Sequence, residues 1–239
     1  GGFVLSASHN PGGGNGDFGI KYANETGGQI PTSISDKIFE TSKQISEYKI
    51  FDAPDIDLSR LGTQKLGDME IEVIDSVKDY VEMMERIFDF SAIKKLFANG
   101  FSMRFDAMNA VTGPYAIRIF EEVLGATKGS VVHAIPLPDF GGLHPDPNLV
   151  YAKELVDFMF SEHAADGDGD RNMILGKKFF VTPSDSLAIL TDNFKLIPAY
   201  KNGIFGVGKS AATSSAVSRV AQAHNIGYYE VPTGWKYFV

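Results

Sequence analysis

Cysteine is absent from the 239 residues. This excludes a disulfide scaffold, a thiolate metal site and a cysteine nucleophile together, and it fits a reducing compartment. Basic residues are in deficit: 22 Lys and Arg stand against 30 Asp and Glu, for a formal net charge of −8. A general nucleic-acid or anionic-membrane binder would have nothing to offset phosphate repulsion. No stretch approaches the ~18 consecutive apolar residues of a membrane helix, so no integral membrane contact is expected. The opening Gly1-Gly2-Phe3-Val4-Leu5 lacks the basic flank of a secretory leader. The histidines His9, His133, His144, His163 and His224 show no zinc-type spacing. No fixed-period repeat and no low-complexity linker is present. An initiator methionine is also missing and the end at Lys236-Tyr237-Phe238-Val239 is abrupt, so a piece of a longer chain is expected.

What is present is ordinary globular composition, 44% hydrophobic and 22% charged. At roughly 150 residues per domain, the length suggests one to two domains with a sizeable core. Short apolar runs alternate with helix-period segments, and Gly, Pro, Asn and Asp separate them, a pattern that predicts an α/β fold of mixed, parallel-rich sheets with flanking helices. Ser33 and Ser35 offer caps for a helix carrying Ile34, Ile38 and Ile45 on one face, and Asp75 caps another carrying Val77, Tyr80, Val81, Met84 and Ile87. Met69, Ile71 and Val73 alternate as a strand. Phe101, Met103 and Phe105 alternate into Asp106, and Gly113-Pro114 opens a helix that Gly125 stops. Further strands are predicted at 131–135, 173–175, 204–205 and 228–231, and further helices at roughly 149–160, from Ser184 through Leu190, and at about 214–223. Soft block boundaries fall near 90 and 200.

Asp166-Gly167-Asp168-Gly169-Asp170 carries the strongest chemical signal. Three carboxylates at alternate positions, with glycines allowing a tight turn, can converge on one hard divalent cation. An EF-hand is excluded, because the sixth loop position is Arg171 instead of Gly and the twelfth is Lys177 instead of Glu. Three carboxylates under-coordinate Ca²⁺ but suit Mg²⁺ with a phosphate nearby; the alternative is a solvated acidic turn. Ser6-Ala7-Ser8-His9-Asn10-Pro11-Gly12-Gly13 follows an apolar strand and so places a hydroxyl and an imidazole where open α/β sheets bind ligands, unless it is a turn and nothing more. Gly203 to Ser210 matches G-x-x-x-x-G-K-[ST] letter by letter, which makes a phosphate-cradling loop a rival reading. His133 fits a core or edge position and His144 a rigid loop. Trp235 fits either a core or a sugar platform.

Together these motifs resemble the α-D-phosphohexomutase family, on its eukaryotic phosphoglucomutase and parafusin branch. The resemblance runs through the Ser6–Gly13 loop, Asn15-Gly16-Asp17-Phe18-Gly19-Ile20-Lys21, Asp106-Ala107-Met108, Gly113-Pro114-Tyr115, Asp139-Phe140-Gly141-Gly142 and His144-Pro145-Asp146-Pro147-Asn148-Leu149. It continues through the Asp166–Arg171 loop to Pro232-Thr233-Gly234-Trp235-Lys236. It implies that Ser8 bears a phosphoryl group and that Ser8, Asp166, Asp168 and Asp170 hold one Mg²⁺. Lys21 is implied to assist proton transfer and neutralise charge, Arg171 to contact the phosphoserine loop or substrate, and His9 to be an active-site contact. Thr233 and Gly234 match the loop that reads the sugar.

The implied enzyme is a cytoplasmic intramolecular phosphotransferase that interconverts glucose 1-phosphate and glucose 6-phosphate through glucose 1,6-bisphosphate. Its partner is a hexose phosphate, with a monomer slightly favoured. The resemblance divides the chain into the end of a first domain at 1–90, a second at 91–199 and the start of a third at 200–239, and a piece so cut is expected to be inactive alone. Gly208-Lys209-Ser210-Ala211-Ala212-Thr213-Ser214-Ser215 stands where the family has Ala-Arg-Ser-Met-Pro-Thr-Ser-Gly, which explains the P-loop match as divergence. Asn109-Ala110 stands where a His-Gly pair is usual, and the segment leading into Asp166 looks shortened. The competing reading is a parafusin-like phosphoprotein of regulated secretion, weakly catalytic or non-catalytic.

Overall fold

The computed structural model describes residues 1–12, 14–152, 156, 163–165, 171–176 and 179–238. The opening apolar run is strand β1 (Gly2–Leu5), and it pairs antiparallel with β2 (Ile20–Ala23) in a register that sets Val4 opposite Lys21. The long excursion between them is the Ser8 loop. Helix α1 (Thr32–Ser42) follows. It lacks the expected serine cap: Pro31 precedes its first turn, Ser33 lies within it, and the Ser35 hydroxyl donates to the Thr32 carbonyl at 2.9 Å. Ile45 lies beyond its end.

Strand β4 (Met69–Val73) is preceded by β3 (Gly62–Leu66), a partner that the sequence reading missed. Gly67 closes their hairpin at φ +61°, a conformation glycine adopts without steric penalty. Helix α2 (Ser76–Ile87) is capped as expected, the Asp75 carboxylate accepting from the Val77 and Lys78 amides. It buries Val77 and Val81. A third helix, α3 (Phe90–Ala98), starts on Asp89, whose carboxylate accepts from the Ala92 amide.

The largest sheet has the order β6-β5-β7-β8-β9, with β5 (Phe105–Asp106), β6 (Val131–Val132), β7 (His163–Ala165), β8 (Asn172–Gly176) and β9 (Phe179–Val181). Strand β5 is parallel to β6 and β7, while β7, β8 and β9 run antiparallel. The strands predicted at 101–106 and 131–135 are therefore shorter than their apolar patterns. The β5–β6 crossover is helix α4 (Thr112–Ala116), which widens into π-helical turns at Ile117–Val123 before Gly125 ends it at φ +79°. This topology brings the carboxyl ends of β5, β6 and β7 to one edge. At that edge the buried Asp106 accepts from the Met108 amide at 2.8 Å and lies 2.9 Å from His133 Nδ1. Strand β7 ends at Ala165 on this same edge. Most of the helix predicted at 149–160 lies outside the described residues.

Helix α5 (Pro183–Asp192) is capped by Thr182, not by Ser184, with the Thr182 hydroxyl accepting from the Asp185 amide. Strands β10 (Gly206–Ser210) and β11 (Gly227–Val231) run parallel across helix α6 (Ala216–His224). One core joins Met108, Ala152, Met173 and Leu175, and another joins Ala188, Val207, Val217 and Ala221. The strand expected at 204–205 begins instead at Gly206. This disposes of the P-loop reading, because Gly206–Ser210 of the motif are the strand itself and their backbone is engaged with β11. Lys209 is 5% exposed and its ammonium is bonded within the protein.

Candidate active site

The Ser8 turn is defined by the hairpin that carries it. Where β1 and β2 separate, the Ser6 amide still donates to the Gly19 carbonyl at 3.0 Å. The chain then folds on itself: the Asn10 amide donates to the Ala7 carbonyl, and the Asn10 side-chain amide donates to the Asp17 carboxylate at 2.7 Å. Glycine is required at position 19, because a Cβ there would stand 2.2 Å from the Ser6 carbonyl oxygen. A Gly19→Ala substitution in the full-length protein is expected to push the hairpin arms apart and cost about 1–3 kcal/mol, the range for forced overpacking. Thermal unfolding checks this, and a melting temperature equal to wild type would disprove the constraint.

Ser8 itself sits at φ +59°, a left-handed conformation that costs a non-glycine residue about 1–2 kcal/mol. Its amide donates to the Ser6 hydroxyl at 3.0 Å. Such strain at a half-buried hydroxyl is characteristic of functional turns. The hydroxyl borders a cleft of about 930 Å³ that is also lined by Asn10, Asp17 and Lys21 from the hairpin and by Leu137 and Phe140 from the opposite wall. Lys21 reaches this cleft because the register of β2 puts it level with Val4, just below the turn.

The structure joins this turn to the far end of the acidic loop. The Arg171 guanidinium donates from Nη2 to His9 Nδ1 at 2.9 Å and from Nη1 to Asp146 Oδ1 at 2.8 Å. A guanidinium can only donate, so Nδ1 is the unprotonated ring nitrogen and the neutral imidazole carries its proton on Nε2. Ser8 Oγ lies 3.3 Å from the same Nδ1. The His9 ring also faces His144 at 5.6 Å, and His144 stacks on Tyr151 at 4.1 Å, tilted by 12°. Of the residues singled out from sequence, Ser8 and Lys21 thus line one cleft, and His9 and Arg171 join them through side-chain contacts with the Ser8 turn. Thr233 and Gly234 follow β11 and are not among the residues lining that cleft. Asp166, Asp168 and Asp170 lie outside the described residues.

Asp146 joins this group through Arg171 although the sequence reading assigns it no role; its signals are its place in the His144–Leu149 motif and between Pro145 and Pro147, which stiffen the loop from both sides. As donors, three carboxylates and a serine oxygen form an all-oxygen set, the kind that Mg²⁺ takes. The two residues bracketing the acidic loop bear on the fit: Ala165 ends β7 at the ligand edge, and Arg171 touches the Ser8 turn.

Comparison with known proteins bears on what this assembly is. The family model described as phosphoglucomutase/phosphomannomutase, alpha/beta/alpha domain I, matches residues 1–49, and that for domain III matches residues 182–239. The chain is 57% identical to a phosphoglucomutase of Rhizobium radiobacter over its whole length, covering 45% of that protein. It is 51% identical to the chloroplastic phosphoglucomutase 1 of Marchantia polymorpha, again over its whole length, covering 38% of that protein. Among solved structures, the open form of the exocytosis-sensitive phosphoprotein pp63/parafusin, a phosphoglucomutase of Paramecium, superposes with a TM-score of 0.90 at 44% identity, over 99% of this chain and 45% of that one. The chain thus spans less than half the length of these relatives. Identity above one half along the whole chain, family models matching at both ends and this superposition agree with the motif order, and the chain belongs to the phosphoglucomutase/phosphomannomutase family, the α-D-phosphohexomutases.

Proposed function

We propose that the full-length protein is a Mg²⁺-dependent phosphoglucomutase, an intramolecular phosphotransferase interconverting glucose 1-phosphate and glucose 6-phosphate. The observation that carries this reading is the bond from Arg171 to His9, which links the serine turn to the acidic loop across 162 residues of chain. Phospho-Ser8 donates its phosphoryl group to the free sugar hydroxyl: the bond from phosphorus to Ser8 Oγ breaks, one to the sugar oxygen forms, and the hydroxyl proton leaves to a base. The product, glucose 1,6-bisphosphate, reorients and returns its other phosphate to Ser8. Lys21 neutralises phosphoryl charge in the cleft and assists the proton transfer. His9, its tautomer set by Arg171, orders the polar wall beside the serine. Thr233 and Gly234 read the sugar. Asp166, Asp168 and Asp170, with Ser8, would hold the ion, whose chemistry is to offset the charge that develops on the transferring phosphoryl oxygens.

Residence in the cytoplasm, a monomeric state and the division of the chain at 90 and 199 belong to the same proposal. The test is an intact-mass and phosphopeptide map of the full-length protein before and after incubation with glucose 1,6-bisphosphate. One phosphate on Ser8, lost again to added glucose phosphates, supports the mutase. A Ser8 that takes up no phosphate refutes it and moves the assignment to a non-catalytic protein. A Ser8 that takes up phosphate without turnover refutes it in favour of a parafusin-like phosphoprotein, which the likeness to the Paramecium structure makes the second reading.

A further inference from the structure

Lys209 is a buried cation in a position that the cleft chemistry does not use. It is 5% exposed, lies one residue from the end of β10, and faces Glu230 across the parallel ladder. Its ammonium makes two bonds at 2.9 Å. One goes to the Glu230 carboxylate, near the end of β11, and the other to the Thr213 carbonyl, in the turn after β10. Glu230 in turn accepts from the Tyr228 hydroxyl at 2.9 Å.

The turn at 211–215 is held from other sides as well. The Ala211 amide donates to the Val231 carbonyl at 2.9 Å, Ser210 Oγ lies 3.0 Å from Thr213 Oγ1, and the Ser214 hydroxyl accepts from the Ala216 amide at 3.1 Å. Both tethered segments leave the carboxyl ends of parallel strands, where α/β sheets place their ligand loops. The second runs directly into Pro232, Thr233 and Gly234, with Gly234 at φ +129°.

We propose that Lys209 is a positioning residue for substrate binding: by bonding Thr213 and Glu230 together it fixes the height and direction in which Thr233 and Gly234 leave β11. This rests on the reading that Thr233 and Gly234 read the sugar. A charge buried in this way is expensive unless paired and satisfied, and here both acceptors bind loop-bearing segments, not the core. The Glu230 hydrogen bond holds the Lys209 ammonium above the ordinary lysine value, against the opposing effect of burial, and Lys209 in turn holds the Glu230 carboxyl low. The raised lysine contributes fully below its ordinary value of 10.5 and the lowered carboxylate fully above its ordinary value of 4.5, so the tether is ionised and intact between those limits.

The test uses the full-length protein with Lys209→Met and Lys209→Arg. Arginine keeps the charge and the donors, and methionine keeps the stem alone. In Lys209→Met, hydrogen exchange at the Ala211 and Thr213 amides is expected to quicken about tenfold, the size that one charge-assisted hydrogen bond supports. KM for glucose 1-phosphate is expected to rise about tenfold with kcat within about threefold, because the chemistry at Ser8 is untouched. Lys209→Arg is expected to restore both. Unchanged exchange in Lys209→Met overturns the tether. Faster exchange with unchanged KM, or a kcat loss at constant KM, or no rescue by arginine overturns the link to substrate. A wild type that turns over no hexose phosphate signals failure of the functional reading instead, and the tether still stands or falls on the exchange result.

Discussion

Replacing Ser8 with alanine is expected to lower hexose phosphate interconversion by the full-length protein by about 10³-fold or more, the scale seen when a covalent nucleophile is removed. The hydroxyl is half-buried beside a cleft, with Lys21 along the same wall and His9 Nδ1 at 3.3 Å. The neighbouring Ser6 hydroxyl also lines the cleft and accepts from the Ser8 amide, so Ser6→Ala serves as the control that is expected to keep its phosphate uptake. The left-handed φ of +59° complicates the experiment, because alanine bears the same strain as serine without the local hydrogen-bonding options of a polar side chain. Ser8→Gly resolves this: glycine adopts that φ freely, so its fold is relaxed while its chemistry is equally absent. Both Ser8 variants are expected to lose activity together and to lose the phosphate that wild type takes from glucose 1,6-bisphosphate, with melting temperatures that differ between them. Retention of more than a tenth of wild-type turnover by either would exclude Ser8 as the phosphoryl carrier.

How much of this was legible in the sequence depends on the range of the interaction concerned. Local signals read correctly. Asp75 before an apolar helical stripe is a cap, and it caps. The Ser8 turn after an apolar strand does sit at a strand end. Reading failed where pairing, and not side-chain pattern, defines the element. Strand β3, with Thr63, Gln64 and Lys65 at its centre, has little apolar alternation, and it exists because β4 offers it a ladder. Strand β10 contains Gly206 and Gly208, which argue against a strand, yet their backbones lie against β11: a Cβ on Gly206 would meet the Gly227 carbonyl at 2.7 Å. Ser33 and Ser184 suggest caps because serine favours that position, but Pro31 and Thr182 are the extended residues that stand there. Around the Ser8 turn, motif resemblance singles out Ser8, His9, Lys21 and Arg171 as candidates, but assigns no role to Asp146, since nothing local tells that its partner lies 25 residues on.

That partner gives the second large expectation. Arg171→Lys is expected to lower kcat/KM for glucose 1-phosphate by about 10²-fold, the loss that follows when a positioning group is displaced by about 1 Å. The guanidinium reaches Asp146 with Nη1 and His9 with Nη2 at once, at 2.8 and 2.9 Å. A lysine has one nitrogen and cannot span both in the same plane. Stability should change little by comparison. The Arg171 and Asp146 side chains are 38% and 25% exposed, and ion pairs so open to water contribute at most about 1 kcal/mol. A large kinetic loss with a small melting shift therefore separates positioning from folding. The pairing with Asp146 can be tested in the same cycle. If Asp146 acts by aiming the guanidinium at His9, then Asp146→Ala is expected to cost activity in the arginine background and little further in the lysine background, because the fork that it orients is already gone. Additive losses would mean that Asp146 and Arg171 act on different things, and the chain from Asp146 through Arg171 to His9 would be only an arrangement of neighbours.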